Sequence, residues 1–251
     1  MSILITGGIG FIGWNIARKL AEKGGEVVLF DVAPPKRYQR LDELGPKARF
    51  VRGDITSWPE VARTIKENAI DEVYHTGALV SIACEENPQA GHMVNVNGTF
   101  NVLEASALFK VKKVMFISSI AAYSLGQTET ITNKSPQRPY SMYGVSKVCG
   151  ELLGEYYHRK YGLDFRGVRF PSIIGPGRGA SGLSSYTSLM IQEPALGRPY
   201  EVYTTEDTVC AILYYKDALR CLIQLHEAPA DRIKSRVYCI AGDLPMADEI
   251  A

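Results

Sequence analysis

The sequence has no long hydrophobic run, no excess of one charge sign and few cysteines. Its 251 residues include 28 lysines and arginines against 27 aspartates and glutamates, which gives a net charge of +1. Such a balance favours neither nucleic acid nor an anionic membrane as a partner. The apolar runs fall far short of the roughly 20 residues that a membrane span needs. The hydrophobic share of 46% is enough for a sizeable core and too high for a disordered chain.

The cysteines predict a reducing compartment. They are Cys84, Cys149, Cys210, Cys221 and Cys239. Their number is odd and no two have CxxC spacing, which argues against a disulfide framework and against a zinc site. The N-terminus runs directly into glycines, with no basic segment or cleavage site of a secretory leader. Together these features predict a cytoplasmic protein, and the length predicts one large domain, or one domain with a small appendage.

Short apolar runs alternate with segments of helical periodicity along the chain. Buried strands are predicted at residues 3–5, 27–30, 50–51, 72–75, 114–117, 165–170 and 237–240. Helices are predicted at residues 11–23, 58–68, 89–109, 141–161 and 185–197. Strands that are apolar on both faces and separated by helices form a parallel sheet covered on both sides. The sequence therefore predicts a doubly wound α/β fold.

A glycine-rich loop follows the first predicted strand. Gly7, Gly10 and Gly13 have GxxGxxG spacing and lie between that strand and the first helix. Glycines permit a tight turn and let backbone amides approach a pyrophosphate, while the helix N-terminus adds donors and a positive dipole. Taken alone, the glycines also fit an ordinary strand-to-helix turn with close packing. An acidic residue at the end of the next strand completes the pattern and favours dinucleotide binding.

That acidic residue is Asp31, 18 residues after Gly13. A carboxylate at this point accepts hydrogen bonds from the adenosine ribose and repels a 2′-phosphate, which favours NAD over NADP. Two basic side chains nearby weaken this preference, those of Lys36 and Arg37.

A tyrosine and a lysine four residues apart lie at the start of the helix predicted at 141–161. Tyr143 and Lys147 share one helix face. A nearby ammonium stabilises a phenolate and lowers its pKa, so Tyr143 is predicted to exchange a proton with an alcohol or a carbonyl oxygen. Lys147 is also placed to bind a nicotinamide ribose. Ser119 follows the fifth strand, where such sheets bind ligands, and its hydroxyl is predicted to hold the substrate oxygen.

Together these motifs resemble the extended short-chain dehydrogenase/reductase family, the NAD-dependent epimerase/dehydratase group. The similarity runs from residue 1 to about residue 245. The matching segments are Thr6–Gly13, Gly53–Ile55, His75–Ala78, Asn95–Thr99, Ser118–Ser119 with Tyr123, Tyr143–Lys147, Arg169–Pro171 and Gly175–Gly177. The resemblance implies a Rossmann fold, NAD as cofactor and an oxidoreductase activity.

The resemblance also implies residue roles. The catalytic residues are expected to be Ser119, Tyr143 and Lys147. Contacts with the cofactor are expected from Gly7, Gly10, Phe11, Ile12, Gly13, Asp31, Asp54, Ile55, Gly77, Ala78, Asn95, Tyr143, Lys147, Phe170 and Pro171. His75 is interpreted as a residue that packs at a strand end or tethers a loop, not as a metal ligand.

Substrate residues are less clearly marked. Within the family, several segments most resemble the short-chain type of L-threonine 3-dehydrogenase, among them Glu86–Pro88 and Glu151–His158. Substrate contacts are expected from Ser81, Ser119, Tyr143, Ser184 and Ser185. The sequence departs from that enzyme type where Leu-Ser-Ser-Tyr stands in place of Thr-Thr-Asp-Tyr. A further segment, Ile174–Gly177, is more similar to sugar-nucleotide epimerases.

Three functions remain open from the sequence. The first is dehydrogenation of a small hydroxy compound like L-threonine, with hydride transfer to NAD. The second is a nucleotide-sugar 4-epimerase or dehydratase, in which the hydride returns from tightly bound NAD to the substrate. The third is an NAD-binding module without catalysis, against which the presence of the complete serine, tyrosine and lysine set argues. The resemblance also implies a homodimer formed through the helices at 89–109 and 141–161.

The family pattern divides the chain into three parts. An NAD-binding Rossmann core is expected over 1–170, a substrate-side excursion over 171–213, and the last helix and strand of the core over 214–251. Extended family members continue into a small C-terminal region that closes over the substrate. That region is expected to be shortened or missing here, which leaves a reduced substrate-side region.

Overall fold

The computed structural model describes residues 1–36, 39–123 and 130–250, apart from the side chain of Asp248. Arg37, expected near the adenosine ribose, lies outside the described residues. Within those ranges, no helix combines the length and apolar character needed to cross a bilayer.

The apolar runs form nine strands within those ranges. They are β1 (Ser2–Thr6), β2 (Glu26–Asp31), β3 (Ala48–Arg52), β4 (Glu72–His75), β5 (Lys113–Ser119), β6 (Asp164–Phe170), β7 (Ser172–Ile174), β8 (Ile212–Tyr214) and β9 (Val237–Cys239). Seven of these strands make one sheet in the order β3-β2-β1-β4-β5-β6-β9, and every pair in it is parallel. The chain order reverses between β1 and β4, where such sheets open a crevice for ligands.

Helices cover both faces of the sheet. They are α1 (Phe11–Glu22), α2 (Trp58–Glu67), α3 (Ser81–Glu86), α4 (Pro88–His92), α5 (Gly98–Leu108), α6 (Met142–Tyr161), α7 (Tyr186–Ala195), α8 (Tyr215–Glu227) and α9 (Ala247–Ile250). Buried residues of α2, α5 and α6 form one core with the sheet, and those of α1 and α8 form the other. The doubly wound α/β fold predicted from the sequence is confirmed.

The structure differs from the prediction where the elements are short or interrupted. The helix predicted at 89–109 consists of α4, a π-helical turn at Met93–Asn97 and α5. Helix α3 and the small parallel sheet of β7 and β8 were not predicted from the sequence. Pairing in a three-residue strand depends on a partner far along the chain, so local periodicity gives little signal. The division into three parts at 170 and 213 stays a prediction.

Candidate active site

The glycine loop turns sharply at the carboxyl end of β1. Gly7 has φ +64°, a left-handed conformation that favours glycine. A Cβ at Gly7 would lie 2.6 Å from the Cα of Gly77, and a Cβ at Gly13 would lie 2.3 Å from the carbonyl oxygen of Gly7. These close approaches bring the start of α1 against the ends of β1 and β4. The first turn of α1 therefore faces the crevice with its backbone amides, as a pyrophosphate requires.

The carboxylate of Asp31 is held beside this loop. It accepts hydrogen bonds from the backbone amides of Ile9 and Ala33, both at 3.1 Å. Buried Gln39 fixes the loop from the other side, because its Nε2 donates to the carbonyl of Ile9 at 2.8 Å. Gln39 has no local sequence signal, because its role depends on a hydrogen bond to Ile9, 30 residues away. Asp31 is thus placed at the end of β2 where the ribose contact is expected.

His75 ties the end of β4 to the glycine loop and to α5. Its Nδ1 lies 2.6 Å from Thr6 Oγ1 and its Nε2 lies 2.9 Å from Thr99 Oγ1. Thr99 Oγ1 also donates its one hydrogen to the carbonyl of Asn95, so it accepts from His75 Nε2. Burial and, after it, the Lys147 charge lower the pKa of His75 to about 3. The interpretation of His75 as a tether agrees with these contacts.

We expect His75 to make the fold sensitive to acid. Its pKa is about 6.5 in an unfolded chain and about 3 in the fold, so the unfolded state binds more protons between these values. Its contribution to stability is complete above about pH 6.5 and declines by about 1.4 kcal/mol per pH unit as the pH falls. His75→Asn should flatten this slope between about pH 4 and 6 in urea unfolding, whereas exposed His92→Asn should not. An unchanged slope in His75→Asn contradicts the assignment.

The serine, tyrosine and lysine meet at the carboxyl end of β5. Ser141 caps α6 by accepting from the amide of Gly144 at 3.0 Å, which places Tyr143 in the first turn. A Cβ at Gly144 would lie 2.1 Å from the carbonyl of Ala121, so α6 starts directly against the segment after β5. Ser119 therefore lies near the phenol of Tyr143 and acts on its pKa.

Lys147 lies under the tyrosine ring. It is buried, and its Nζ donates to the carbonyl of Ile117 at 2.8 Å. The same Nζ is 5.4 Å from the centroid of the Tyr143 ring and 5.0 Å from that of Phe116. Burial lowers the pKa of Lys147 to about 8, and the charges of Cys84 and Glu151 oppose that shift.

The expected lowering of the Tyr143 pKa is wrong for this arrangement. Burial raises the pKa of Tyr143 to about 12, and this outweighs the Ser119 hydrogen bond and the Arg178 charge, which both lower it. Lys147 is directed at a backbone carbonyl and not at the phenol oxygen. Tyr143 is therefore a neutral phenol in this structure, next to Ser119.

Comparison with known proteins identifies the family of this chain. The family model described as NAD dependent epimerase/dehydratase family matches residues 3–241. The chain belongs to this family. The mitochondrial L-threonine 3-dehydrogenase of Bos taurus is 34% identical over 257 residues, which cover 99% of this chain and 66% of the bovine protein. The chain thus spans just under two thirds of that relative.

Solved structures of the epimerase/dehydratase family superimpose closely. A monomeric L-threonine 3-dehydrogenase from a metagenome database, in its apo form, has a TM-score of 0.91 and 30% identity, covering 99% of this chain and 79% of its own. The UDP-glucose 4-epimerase of Thermus thermophilus in complex with NAD has a TM-score of 0.87 and 26% identity, covering 100% and 81%. Both kinds of enzyme share the fold of this family member.

The other residues expected at the cofactor lie near the carboxyl ends of the parallel strands or at the start of α1. Ile55 is buried against Gly77 and Gly98, whereas Asp54 is partly exposed and caps the following turn through the amide of Thr56. Phe11 is partly exposed, with its ring centroid 5.9 Å from that of Tyr215. The remaining expected contacts, Gly10, Ile12, Ala78, Phe170 and Pro171, lie in the same crevice-lining segments and stay predictions as contacts.

Asn95 has a supporting role in the structure. Its side chain accepts from the amide of Leu79 at 2.8 Å and donates to the carbonyl of Leu79 at 2.9 Å and to Ser146 Oγ at 3.0 Å. Asn95 therefore connects the loop after β4 with α6. A direct contact with the cofactor stays a prediction.

The three serines expected at the substrate have protein partners. Ser81 Oγ accepts from the amide of Leu183 at 3.0 Å and so links α3 to the substrate-side segment. Ser184 Oγ accepts from Arg178 Nη2 at 3.2 Å. Ser185 is buried and donates to the carbonyl of Ala180 at 3.3 Å. Each of the three hydroxyls thus bonds to another part of the protein, and their contact with a substrate stays a prediction.

Arg178 is a second cation near this site, and the sequence did not single it out. Its Nη1 donates to Ser172 Oγ at 2.7 Å and to the carbonyl of Ile173 at 2.5 Å, and its charge acts on the Tyr143 phenol. Among the residues that the structure describes, no carboxylate forms an ion pair with it. The only sequence signal was an arginine in the glycine-rich segment 175–179.

Proposed function

We propose that this protein is an NAD-dependent dehydrogenase that oxidises a small hydroxy amino acid of the L-threonine type. The observation that carries this proposal is the partly buried guanidinium of Arg178, which is held by Ser172 and Ser184, has no carboxylate partner among the described residues, and whose charge acts on the Tyr143 phenol. An arginine in that position pairs well with a substrate carboxylate, since its planar fork matches the two oxygens. A hydroxyl carbon next to the α-carbon then lies near Tyr143.

NAD fits the residues that are present. Gly7 and Gly13 leave no room for a side chain, and a pyrophosphate needs that close approach of backbone. Asp31 stands at the end of β2 to accept from the ribose, and Lys147 is placed for the nicotinamide ribose. When bound, NAD supplies the acceptor for the hydride that leaves the substrate carbon.

The chain's own residues handle the proton. The substrate hydroxyl lies between Ser119 and Tyr143. The Tyr143 phenol first gives its proton to solvent, and Oη of the phenolate then accepts the proton of the substrate hydroxyl as the carbonyl forms, while Ser119 stabilises the oxygen as its charge develops. Lys147 holds positive charge beneath the tyrosine ring, and the N-terminus of α6 favours the phenolate that this step requires.

A substrate screen tests the proposal. The protein with NAD and L-threonine, or a related hydroxy acid, should give NADH absorbance. UDP-sugars should give none. Absence of NADH with every hydroxy acid removes the dehydrogenase proposal.

Arg178→Met tests the carboxylate contact. Loss of a charge-assisted hydrogen bond is expected to raise the KM for L-threonine by about 10- to 100-fold with a smaller effect on kcat. L-threoninol, in which a hydroxymethyl group replaces the carboxylate, serves as the matched control substrate and should show nearly the same KM with both proteins. Equal KM increases for the two substrates would mean that Arg178 acts only on the shape of the loop.

A nucleotide-sugar 4-epimerase is the second candidate. Its support is the similarity of the Thermus thermophilus structure and the segment Ile174–Gly177. In that case UDP-glucose is converted to its 4-epimer without net release of NADH. The same screen therefore separates the two candidates.

We also propose a homodimer. The outer faces of α5 and α6 expose Phe100, Leu108, Leu152 and Tyr156, each between 42% and 59% exposed. These residues recur at spacings of four and eight, so each pair lies on one helix face. A second copy would cover this apolar surface by packing the same two helices against each other. Analytical ultracentrifugation tests it, and a monomer at micromolar concentration, the state named for the metagenomic L-threonine 3-dehydrogenase, would contradict it.

We further propose that the protein works in the cytoplasm. All five cysteines are free, which suits a reducing compartment. The bovine relative is named as mitochondrial, another compartment that fits free thiols. Cell fractionation with an antibody distinguishes the two locations.

A further inference from the structure

A buried ion pair lies directly behind the catalytic residues. Glu151 of α6 and Arg169 of β6 are 2% and 6% exposed. Arg169 donates from Nε to Oε1 at 2.9 Å and from Nη2 to Oε2 at 2.6 Å, so the contact is bidentate. Neither residue takes part in the proton transfer proposed for Tyr143. The presence of two charges in the core needs a physical reason. Replacement of a buried ion pair by well-packed apolar residues often leaves the stability of a protein unchanged or raises it.

The remaining hydrogen bonds of the pair go to segments that border the active site. Glu151 accepts from Ser118 Oγ, next to Ser119, and from Gln137 Nε2 at 2.6 Å. Arg169 Nη1 donates to Tyr123 Oη at 2.6 Å. The pair therefore connects the end of β5 with the segment that leads into α6. Arg169 itself directly precedes the expected cofactor contacts at 170 and 171.

Glu151 also lies one helical turn beyond Lys147. Tyr143, Lys147 and Glu151 are spaced by four residues and share one face of α6. The negative charge of Glu151 favours the protonated form of Lys147, against the burial that disfavours it. The other titratable groups that interact with Lys147 or with the ion pair are Cys84 on α3, His75 on β4, Tyr123 after β5 and Cys239 on β9.

We propose that Glu151 is a positioning residue of this active site, which keeps Lys147 charged and holds Ser119 in register with Tyr143. Arg169 is its counterion: it lets a carboxylate remain ionised in the core at this point. The kinetic part of this inference rests on the proposed function. The protonation of Lys147 does not, because it can be measured without turnover.

The test is the pH titration of Lys147, followed by NMR of protein labelled with ¹³C at the lysine side chains and assigned with Lys147→Met. Glu151→Gln leaves Arg169 unpaired, so the decisive variant is Glu151→Gln with Arg169→Met, which removes both charges. In the double variant the Lys147 midpoint should fall by about one pH unit. Glu151→Asp, which keeps the charge, should retain the wild-type midpoint, and it also keeps the test available if the double variant fails to fold.

A matched control removes an ion pair elsewhere. Asp71→Asn with Lys112→Met deletes a pair 2.6 Å apart at the opposite end of the sheet and should leave the Lys147 midpoint unchanged. In the active enzyme, the basic limb of the kcat profile should shift with the Lys147 midpoint in the Glu151 variants. A wild-type midpoint in the double variant, with kcat restored relative to Glu151→Gln, overturns the proposal and leaves the pair a structural role. If the wild type shows no turnover, the proposed function fails while the titration still decides the role of Glu151.

Discussion

Tyr143→Phe is expected to lower kcat by about 100- to 10,000-fold, the usual range for loss of a general acid–base group. Its ring can remain in place over Lys147, since only the hydroxyl is removed. NAD affinity should therefore stay within about twofold of the wild type. Steady-state kinetics and calorimetric titration with NAD measure the two quantities on the same preparation.

The matched control is Tyr140→Phe. Tyr140 lies three residues before Tyr143 but is 81% exposed, so removal of its hydroxyl should leave kcat near the wild-type value. Full activity in Tyr143→Phe would show that the proton leaves the substrate by another route. An equal loss in both variants would point to a disturbed start of α6 instead of a missing acid–base group.

Gly13→Ala is expected to weaken NAD binding by about 10- to 100-fold. The added methyl group would lie 2.3 Å from the carbonyl oxygen of Gly7 and 2.9 Å from Thr76 Oγ1. Backbone cannot give way there without moving the turn that faces the pyrophosphate, and overpacking of this kind costs about 1–3 kcal/mol. Calorimetric titration with NAD gives the change in Kd, and a thermal melt separates it from a change in stability.

Gly179→Ala provides the comparison for that variant. A Cβ at Gly179 meets nothing within 4 Å, and its backbone does not require a positive φ. This second glycine-rich segment should therefore tolerate alanine with no change in Kd for NAD. If Gly13→Ala binds NAD as tightly as Gly179→Ala does, the glycine loop is a packing feature and not the cofactor cradle.

The parts of the site that follow from local sequence could be predicted. The left-handed turn at Gly7, the carboxylate at the end of β2 and the shared face of Tyr143 and Lys147 each depend on residues within one turn or one strand-to-helix unit. Their assembly at one end of the sheet follows from the parallel strand order. For this reason the fold and the catalytic set could be derived together.

Features that depend on distant contacts could not be predicted. Arg178 is held by Ser172 and Ile173 of β7, whose partner strand β8 lies far along the chain. Ser184 is committed to Arg178, a contact that its place in a serine-rich segment does not reveal. The pKa of Tyr143 depends on how deeply the phenol is buried, and burial reversed the direction that the charge of Lys147 suggested. Local patterns contain no information on any of these quantities.

The transfer of deuterium from L-threonine labelled at C3 to added NAD tests the central claim most directly. Mass spectrometry of the reduced cofactor should find one deuterium per molecule with the wild type and none, over the same interval, with Tyr143→Phe. Failure to form labelled reduced cofactor, together with conversion of UDP-glucose to its 4-epimer, would contradict the dehydrogenase assignment.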